Sequence, residues 1–164
     1  TRTDAYGGDL KGRARFLIEV IDAVRSEWPD DLPVFLRISC TDWVPGGLRI
    51  EDTVALAKLV KATGKVDLID CSSGGADPRQ QINFFPGYQV PFADAIRNQA
   101  GIATGAVGLI HAPYQAEEIL QNGRADVIIM GRTLLGDPYW PLKAATALKA
   151  EVKWPNQYLR ANIF

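Results

Sequence analysis

The sequence has few of the residue types that build reactive centres. Its 164 residues include one histidine and two cysteines. A single histidine with scattered carboxylates does not make a zinc site, so we expect no bound metal. Cys40 and Cys71 each end an apolar run that is typical of a buried strand, and we interpret them as reduced structural thiols. His111 is interpreted as a loop or helix-cap residue rather than as a catalytic base.

The sequence also lacks an excess of charge and a long apolar segment. Eighteen Lys and Arg residues oppose nineteen Asp and Glu residues, and the formal net charge is −1. A nucleic acid or an anionic membrane would need a basic surplus, so we expect neither as a partner. No segment is apolar enough to span a bilayer, which favours a cytoplasmic protein. The opening residues resemble the middle of a segment, and we expect further sequence upstream.

Helical and strand patterns alternate along the chain. Residues 10–27 carry apolar side chains at helical spacing, with Asp9 as a candidate N-cap and Pro29 after the end. Further helices are predicted over residues 50–63, 90–99, 113–122 and 137–149, and strands over 33–39, 66–71, 102–104 and 125–130. This order predicts one α/β unit with a parallel sheet, whose apolar strands are covered on both faces. The tail, 152–164, shows no regular period.

Four such strands could form an open sheet or part of a (β/α)8 barrel. An open dinucleotide-binding fold would place its glycine loop after the first strand, and no such loop follows Ser39. Glycines follow the last two predicted strands instead, at Gly105, Gly108 and Gly131. Barrel enzymes bind phosphate after strands seven and eight. The glycine positions therefore favour the C-terminal half of a barrel, with strands five to eight.

Two groups of residues are candidates for a binding site. Gly108 and Gly131 would let backbone N–H groups approach a phosphate, and Arg132 could hold it with two hydrogen bonds, although a turn glycine beside a surface arginine is an equally simple interpretation. Arg37 interrupts an apolar strand, and a buried guanidinium requires an anion or several acceptors. That requirement could be met by a ligand or by a structural ion pair. Three aspartates are interpreted as hydrogen-bonding and capping groups: Asp67, Asp70 and Asp126.

Several motifs, in the correct order along essentially the whole chain, resemble the Old Yellow Enzyme family. They are Arg2-Thr3-Asp4-Ala5-Tyr6-Gly7-Gly8, Arg13-Ala14-Arg15-Phe16, Leu36-Arg37-Ile38-Ser39, Asp67-Leu68-Ile69-Asp70-Cys71-Ser72-Ser73-Gly74, Pro86-Gly87-Tyr88-Gln89-Val90, Thr104-Gly105-Ala106-Val107-Gly108, Gly123-Arg124-Ala125-Asp126, and Met130-Gly131-Arg132 followed by Leu135 and Asp137-Pro138. The similarity is greatest to the small, often thermostable bacterial members. One departure is Gly12, which weakens its helix by about 1 kcal/mol relative to alanine.

The resemblance implies an FMN-dependent oxidoreductase that uses NADPH or NADH to reduce C=C bonds activated by a carbonyl or nitro group. It implies that Arg37 lies against the pyrimidine edge of the flavin. Gly108, Gly131 and Arg132 would bind the FMN phosphate. Residues 1–151 would form half of the barrel, and residues 152–164 would form an arm that packs on a neighbouring subunit. Arg160 would enter that neighbour's active site, which implies a homo-oligomer.

The family's substrate-anchoring histidines, tyrosine proton donor and flavin-tuning Cys or Thr belong to the first half of the barrel. We therefore expect no catalytic residue on this chain, and we expect an N-terminal half-barrel as its partner. Two alternatives stay open. The chain could be a non-catalytic half-barrel scaffold that binds only FMN or phosphate. A dehydrogenase of the dihydroorotate type is disfavoured by the motif at residues 2–8.

Overall fold

Four parallel strands lie side by side in the order in which they occur in the sequence. The structure, a computed structural model, describes residues 2–161. The strands are β1 (Phe35–Ser39), β2 (Leu68–Ser72), β3 (Ala103–Ala106) and β4 (Val127–Ile128). The helices are α1 (Leu10–Glu27), α2 (Ile50–Ala62), α3 (Val90–Ala100), α4 (Pro113–Gln121), α5 (Arg132–Gly136) and α6 (Trp140–Ala147), and a 3-10 helix covers Asn156–Ala161. The predicted parallel α/β architecture is confirmed.

Local sequence signals set the ends of the helices. The Asp9 side chain caps α1, because its Oδ1 accepts the backbone N–H of Gly12 at 2.9 Å. Helix α3 ends at Gly101, whose φ of 69° lies in the left-handed region that glycine adopts without strain. A proline occupies the first turn of α4, where its missing N–H costs no hydrogen bond.

The helices pack on one face of the sheet and form the core there. Side chains from β2 and β3 that face the helices are almost fully buried, including Ile69, Cys71 and Ala106. They contact buried residues of α2, α3 and α4: Val54, Ala57, Val60, Ala93, Ile96, Ala116 and Ile119. The core therefore lies between one sheet face and one layer of helices.

The other face of β1 is open. Alternate residues of this strand are exposed, and the Phe35 side chain is 61% exposed. The prediction that β1 is buried on both faces is therefore wrong. Successive side chains of a strand point to opposite faces, and the described helices cover only the face reached by Leu36 and Ile38. Strand β2 lies between two neighbours and is buried throughout.

The amino ends of the strands are held by one ion-pair arrangement that occurs twice. A helix carries Asp and Arg three residues apart. The helical arginine pairs with a second aspartate, which lies just before a strand. The helical aspartate pairs with a Lys or Arg that lies two positions before this second aspartate. The first copy is Asp22, Arg25, Lys65 and Asp67, and the second is Asp94, Arg97, Arg124 and Asp126.

Backbone bonds complete each copy of this arrangement. The carboxylate of Asp67 accepts the N–H of Val34 at 2.7 Å, and that of Asp126 accepts the N–H of Thr104 at 2.9 Å. Both aspartates thus tie neighbouring strands together, which confirms their interpretation as hydrogen-bonding groups at the edge of the sheet. The segment from α1 to β2 and the segment from α3 to β4 therefore share the same ion-pair arrangement.

The C-terminal segment runs back along α6. The phenol of Tyr139 donates to that of Tyr158 at 3.0 Å, and the indole of Trp154 lines a groove beside them. The prediction of an irregular tail is incomplete, because Asn156–Ala161 forms a 3-10 helix. Residues 162–164 of the predicted arm lie outside the described residues. No helix in the described range is long and apolar enough to cross a membrane.

Candidate functional site

A cavity of about 490 Å³ opens at the carboxyl ends of the strands. The carboxyl ends of parallel strands share one edge of a sheet, so the segments that follow β3 and β4 lie next to each other there. Four residues selected from the sequence, Arg37, Gly108, Gly131 and Arg132, all line this cavity. The structure thus brings together residues that are nearly a hundred positions apart in the chain.

The charge of the cavity suits an anion. Arg37, Arg132 and His111 line it, and no Asp or Glu among the described residues does. Arg132 is exposed and forms no hydrogen bond or ion pair with residues 2–161. Its planar group of donors is therefore available to a carboxylate or phosphate.

The two glycines contribute in different ways. Gly108 has a φ of 125°, which side-chain-bearing residues rarely adopt, and an added Cβ would lie 3.0 Å from the Gln89 Nε2 atom and 3.1 Å from the Tyr88 ring. At Gly131 an added Cβ would meet nothing within 4 Å in the described part of the chain. Gly108 therefore permits the loop conformation, and Gly131 leaves the backbone accessible from the cavity.

Gln89 fixes the loop that carries Gly108. Its side chain is buried, accepts from the Ser73 hydroxyl at 2.6 Å and donates to the carbonyl of Val107 at 3.1 Å. The Gly108 carbonyl in turn accepts the N–H of Gly87 at 2.8 Å. Sequence reasoning did not identify Gln89 as part of the site. The only signal was its place in the Pro-Gly-Tyr-Gln motif.

Arg37 is not buried as predicted, because its side chain is 58% exposed. It points from the open face of β1, where the described helices do not cover it. Its Nη1 donates to Oδ2 of Asp70 at 2.6 Å and its Nη2 donates to the Ser72 hydroxyl at 2.9 Å. The structural ion pair, between Arg37 and Asp70, is therefore present. It orients the Arg37 side chain, and Arg37 also lines the cavity.

Two other groups of candidate residues lie outside the cavity. Arg160 is exposed on the C-terminal 3-10 helix, and its contact with a neighbouring subunit stays a prediction. Cys40 and Cys71 are free and buried. A hydrogen bond with Cys40, together with burial, raises the pKa of the Cys71 thiol above its usual range. A protonated buried thiol is a poor nucleophile, which agrees with the interpretation of both cysteines as structural.

Fold and cavity together define a parallel α/β protein with an arginine-containing cavity at the carboxyl ends of its strands. The chain belongs to the NADH:flavin oxidoreductase / NADH oxidase family, whose model matches residues 1–151. This membership confirms the resemblance to Old Yellow Enzymes that the motifs indicated.

Curated relatives are similar over nearly the whole chain. An NADPH dehydrogenase of Bacillus licheniformis is 56% identical over 160 residues, which are 98% of this chain and 46% of that protein. An NADPH dehydrogenase of Halalkalibacterium halodurans is 53% identical over 160 residues, with the same coverage of 98% and 46%. The chain therefore spans slightly less than half the length of these relatives.

Solved structures of TIM-barrel oxidoreductases contain a similar fold. A 2-naphthoyl-CoA reductase is 32% identical with a TM-score of 0.80, and the match covers 90% of this chain and 23% of that one. A histamine dehydrogenase from Rhizobium sp. 4-9 is 25% identical with a TM-score of 0.75, and covers 89% and 21%. In both, the chain matches only a part of a longer protein.

Proposed function

We propose that this chain is the C-terminal half of an FMN-dependent (β/α)8 barrel, with residues 1–151 forming strands five to eight and their helices. The sequential order of four parallel strands supports this proposal, as does the coverage of 46% of the curated relatives. Barrel enzymes bind phosphate beyond their last two strands, and the cavity lies beyond the last two strands of this chain.

The cavity would hold the phosphate of FMN through Gly108, Gly131 and Arg132. The observation that carries this proposal is that these residues share one cavity. Among residues 2–161, no Asp or Glu lines this cavity and the Arg132 guanidinium has no partner. A phosphate monoester would accept two hydrogen bonds from Arg132 and backbone N–H groups from the glycine loops. The residues present therefore fit the group.

Arg37 would contribute positive charge beside the flavin ring of the same FMN. Asp70 and Ser72 hold its guanidinium at two nitrogens, so its orientation is set before a ligand binds. When bound, FMN would carry hydride from NADPH to an alkene activated by a carbonyl or nitro group. The names of the curated relatives favour NADPH over NADH as the reductant.

The open sheet face would pack against the N-terminal half of the barrel. Phe35 is 61% exposed on that face, and Phe16, Val20 and Val24 form an exposed apolar stripe along α1. Apolar side chains spaced four residues apart lie on one side of a helix, so the stripe forms one surface. The alternative is a scaffold that binds FMN or phosphate without catalysis, which the exposed apolar surface makes less favourable.

Residues 152–164 would form the arm that packs on a neighbouring subunit of a homo-oligomer. Arg160 is exposed at the end of the described chain, which would let it reach a second subunit. A cytoplasmic location belongs to the same proposal.

We expect this chain to bind FMN but to leave it oxidised when NADPH is added without oxygen, because the catalytic groups of the family would lie on the other half. Adding the preceding half of the Bacillus licheniformis relative should allow NADPH to bleach the flavin absorbance. The two halves should be mixed and examined by anaerobic visible spectroscopy. FMN binding without bleaching in the mixture would favour the scaffold, and no bound-flavin spectrum in either sample would contradict the proposal.

A further inference from the structure

His111 lies in the loop between β3 and α4, three residues after Gly108. His111 lines the same cavity as Arg132. The backbone at this position is held at two points. The His111 carbonyl accepts the Trp140 indole N–H at 2.7 Å, and its N–H donates to Gln115 Oε1 at 3.4 Å. The imidazole is therefore carried by a fixed segment at the edge of the cavity.

The hydrogen bonds of Thr133 determine which imidazole nitrogen carries the proton. The Nδ1 of His111 lies 2.8 Å from the Thr133 hydroxyl, and that hydroxyl donates to the carbonyl of Ile110 at 3.2 Å. A hydroxyl has a single proton, so both contacts form together only when Nδ1–H donates to Thr133. In the neutral ring the other nitrogen, Nε2, is then an acceptor, and it becomes a donor when the ring is protonated.

The surroundings of the ring favour an anion at Nε2. The charged and titratable groups that share the cavity with His111 are Arg132 from α5, Arg37 from β1 and Tyr88. The side chains that form hydrogen bonds with His111 from α4, α5 and α6 are uncharged: Gln115, Thr133 and Trp140. No carboxylate of the described residues lines the cavity beside His111, so a bound anion would supply the counter-charge of an imidazolium there.

We propose that His111 is a further binding residue for the phosphate monoester, which it contacts by donating a hydrogen bond from Nε2. This inference rests on the proposed function, because it requires a phosphate beside Arg132. It predicts that loss of the imidazole weakens the retention of a phosphorylated ligand. A ligand that lacks phosphate gains nothing from this residue.

The test compares two amide variants, since asparagine can reproduce the Nδ1 donor of histidine and glutamine can place a neutral donor near Nε2. FMN and riboflavin should be titrated into the wild-type chain, His111→Asn and His111→Gln. We expect His111→Asn to bind FMN about ten-fold more weakly than wild type, because it loses one charge-assisted hydrogen bond to the phosphate. Riboflavin affinity should not change, because riboflavin carries no phosphate.

His111→Gln should lose less affinity than His111→Asn, because its amide can still donate near the position of Nε2. The inference is wrong if His111→Asn binds FMN as tightly as wild type does. It is also wrong if this variant loses FMN and riboflavin equally, because that outcome indicates a role in loop structure. A wild-type chain that binds neither ligand would overturn the proposed function together with this inference, whereas either of the first two outcomes would leave the proposed function standing.

Discussion

Replacing Arg132 with alanine is expected to weaken FMN binding by roughly 10- to 100-fold, the usual effect of losing a charge-assisted pair of hydrogen bonds. The Arg132 side chain lines the cavity and has no partner among residues 2–161. Its removal therefore takes away a ligand contact without breaking an internal bond. Equilibrium titration by flavin fluorescence measures the change.

Two controls separate phosphate binding from other effects of this substitution. Arg132→Lys keeps the charge but loses the planar pair of donors, so its affinity should lie between those of wild type and Arg132→Ala. Riboflavin, which has no phosphate, should bind all three proteins equally. Thermal stability should also be unchanged, because the exposed guanidinium supports no other residue in the described structure. Equal FMN affinity in wild type and Arg132→Ala would remove this residue from the site.

Replacing Gly108 with alanine is expected to destabilise the protein by about 1–3 kcal/mol, the usual cost of an unfavourable backbone conformation. Its φ of 125° disfavours any side chain, and the new Cβ would lie 3.0 Å from Gln89 Nε2 and 3.1 Å from Tyr88. Gln89 is held by Ser73 and Val107, so it cannot move away without losing those bonds. We expect the midpoint of thermal unfolding to fall by roughly 2–10 °C.

Gly131→Ala provides the matched control for that substitution. Its φ is −102° and its added Cβ would meet no described atom within 4 Å, so its stability should equal that of wild type. The methyl group would enter space that the proposed phosphate occupies, and FMN affinity should therefore fall. Differential scanning calorimetry and FMN titration of both variants give the comparison. A Gly108→Ala protein as stable as wild type would show that the loop conformation is not required.

Periodicity and turn chemistry predicted most of the helices. The first helix begins and ends at the predicted residues, Leu10 and Glu27, because a capping aspartate precedes it and a proline follows it. The fourth strand was predicted over residues 125–130 and covers only Val127–Ile128. An apolar run shows that a segment is suited to a strand, whereas the number of paired residues depends on its neighbour in the sheet. The short helix α5 was missed, since five residues are too few to show a period.

The position of the candidate site followed from topology, but its side-chain contacts did not. Parallel strands in sequential order bring Gly108 and Arg132 to one edge, which the alternating pattern was sufficient to predict. The partners of Gln89 and His111 depend on how two irregular loops fold against each other, and no local pattern encodes that. The exposure of Arg37 was mispredicted because an apolar strand with one arginine indicates burial only when both sheet faces are covered.

The most direct test of the shared cavity is an amide NMR titration of the isotope-labelled chain with FMN and then with inorganic phosphate. The account predicts that both ligands shift the resonances of Gly108, Gly131 and Arg132, which line one cavity. Only FMN should also shift the resonance of Arg37, because inorganic phosphate is too small to extend to the Arg37 side of the cavity. Shifts confined to the opposite edge of the sheet, near Asp67 and Asp126, or an absence of shifts at the glycine loops, would contradict it.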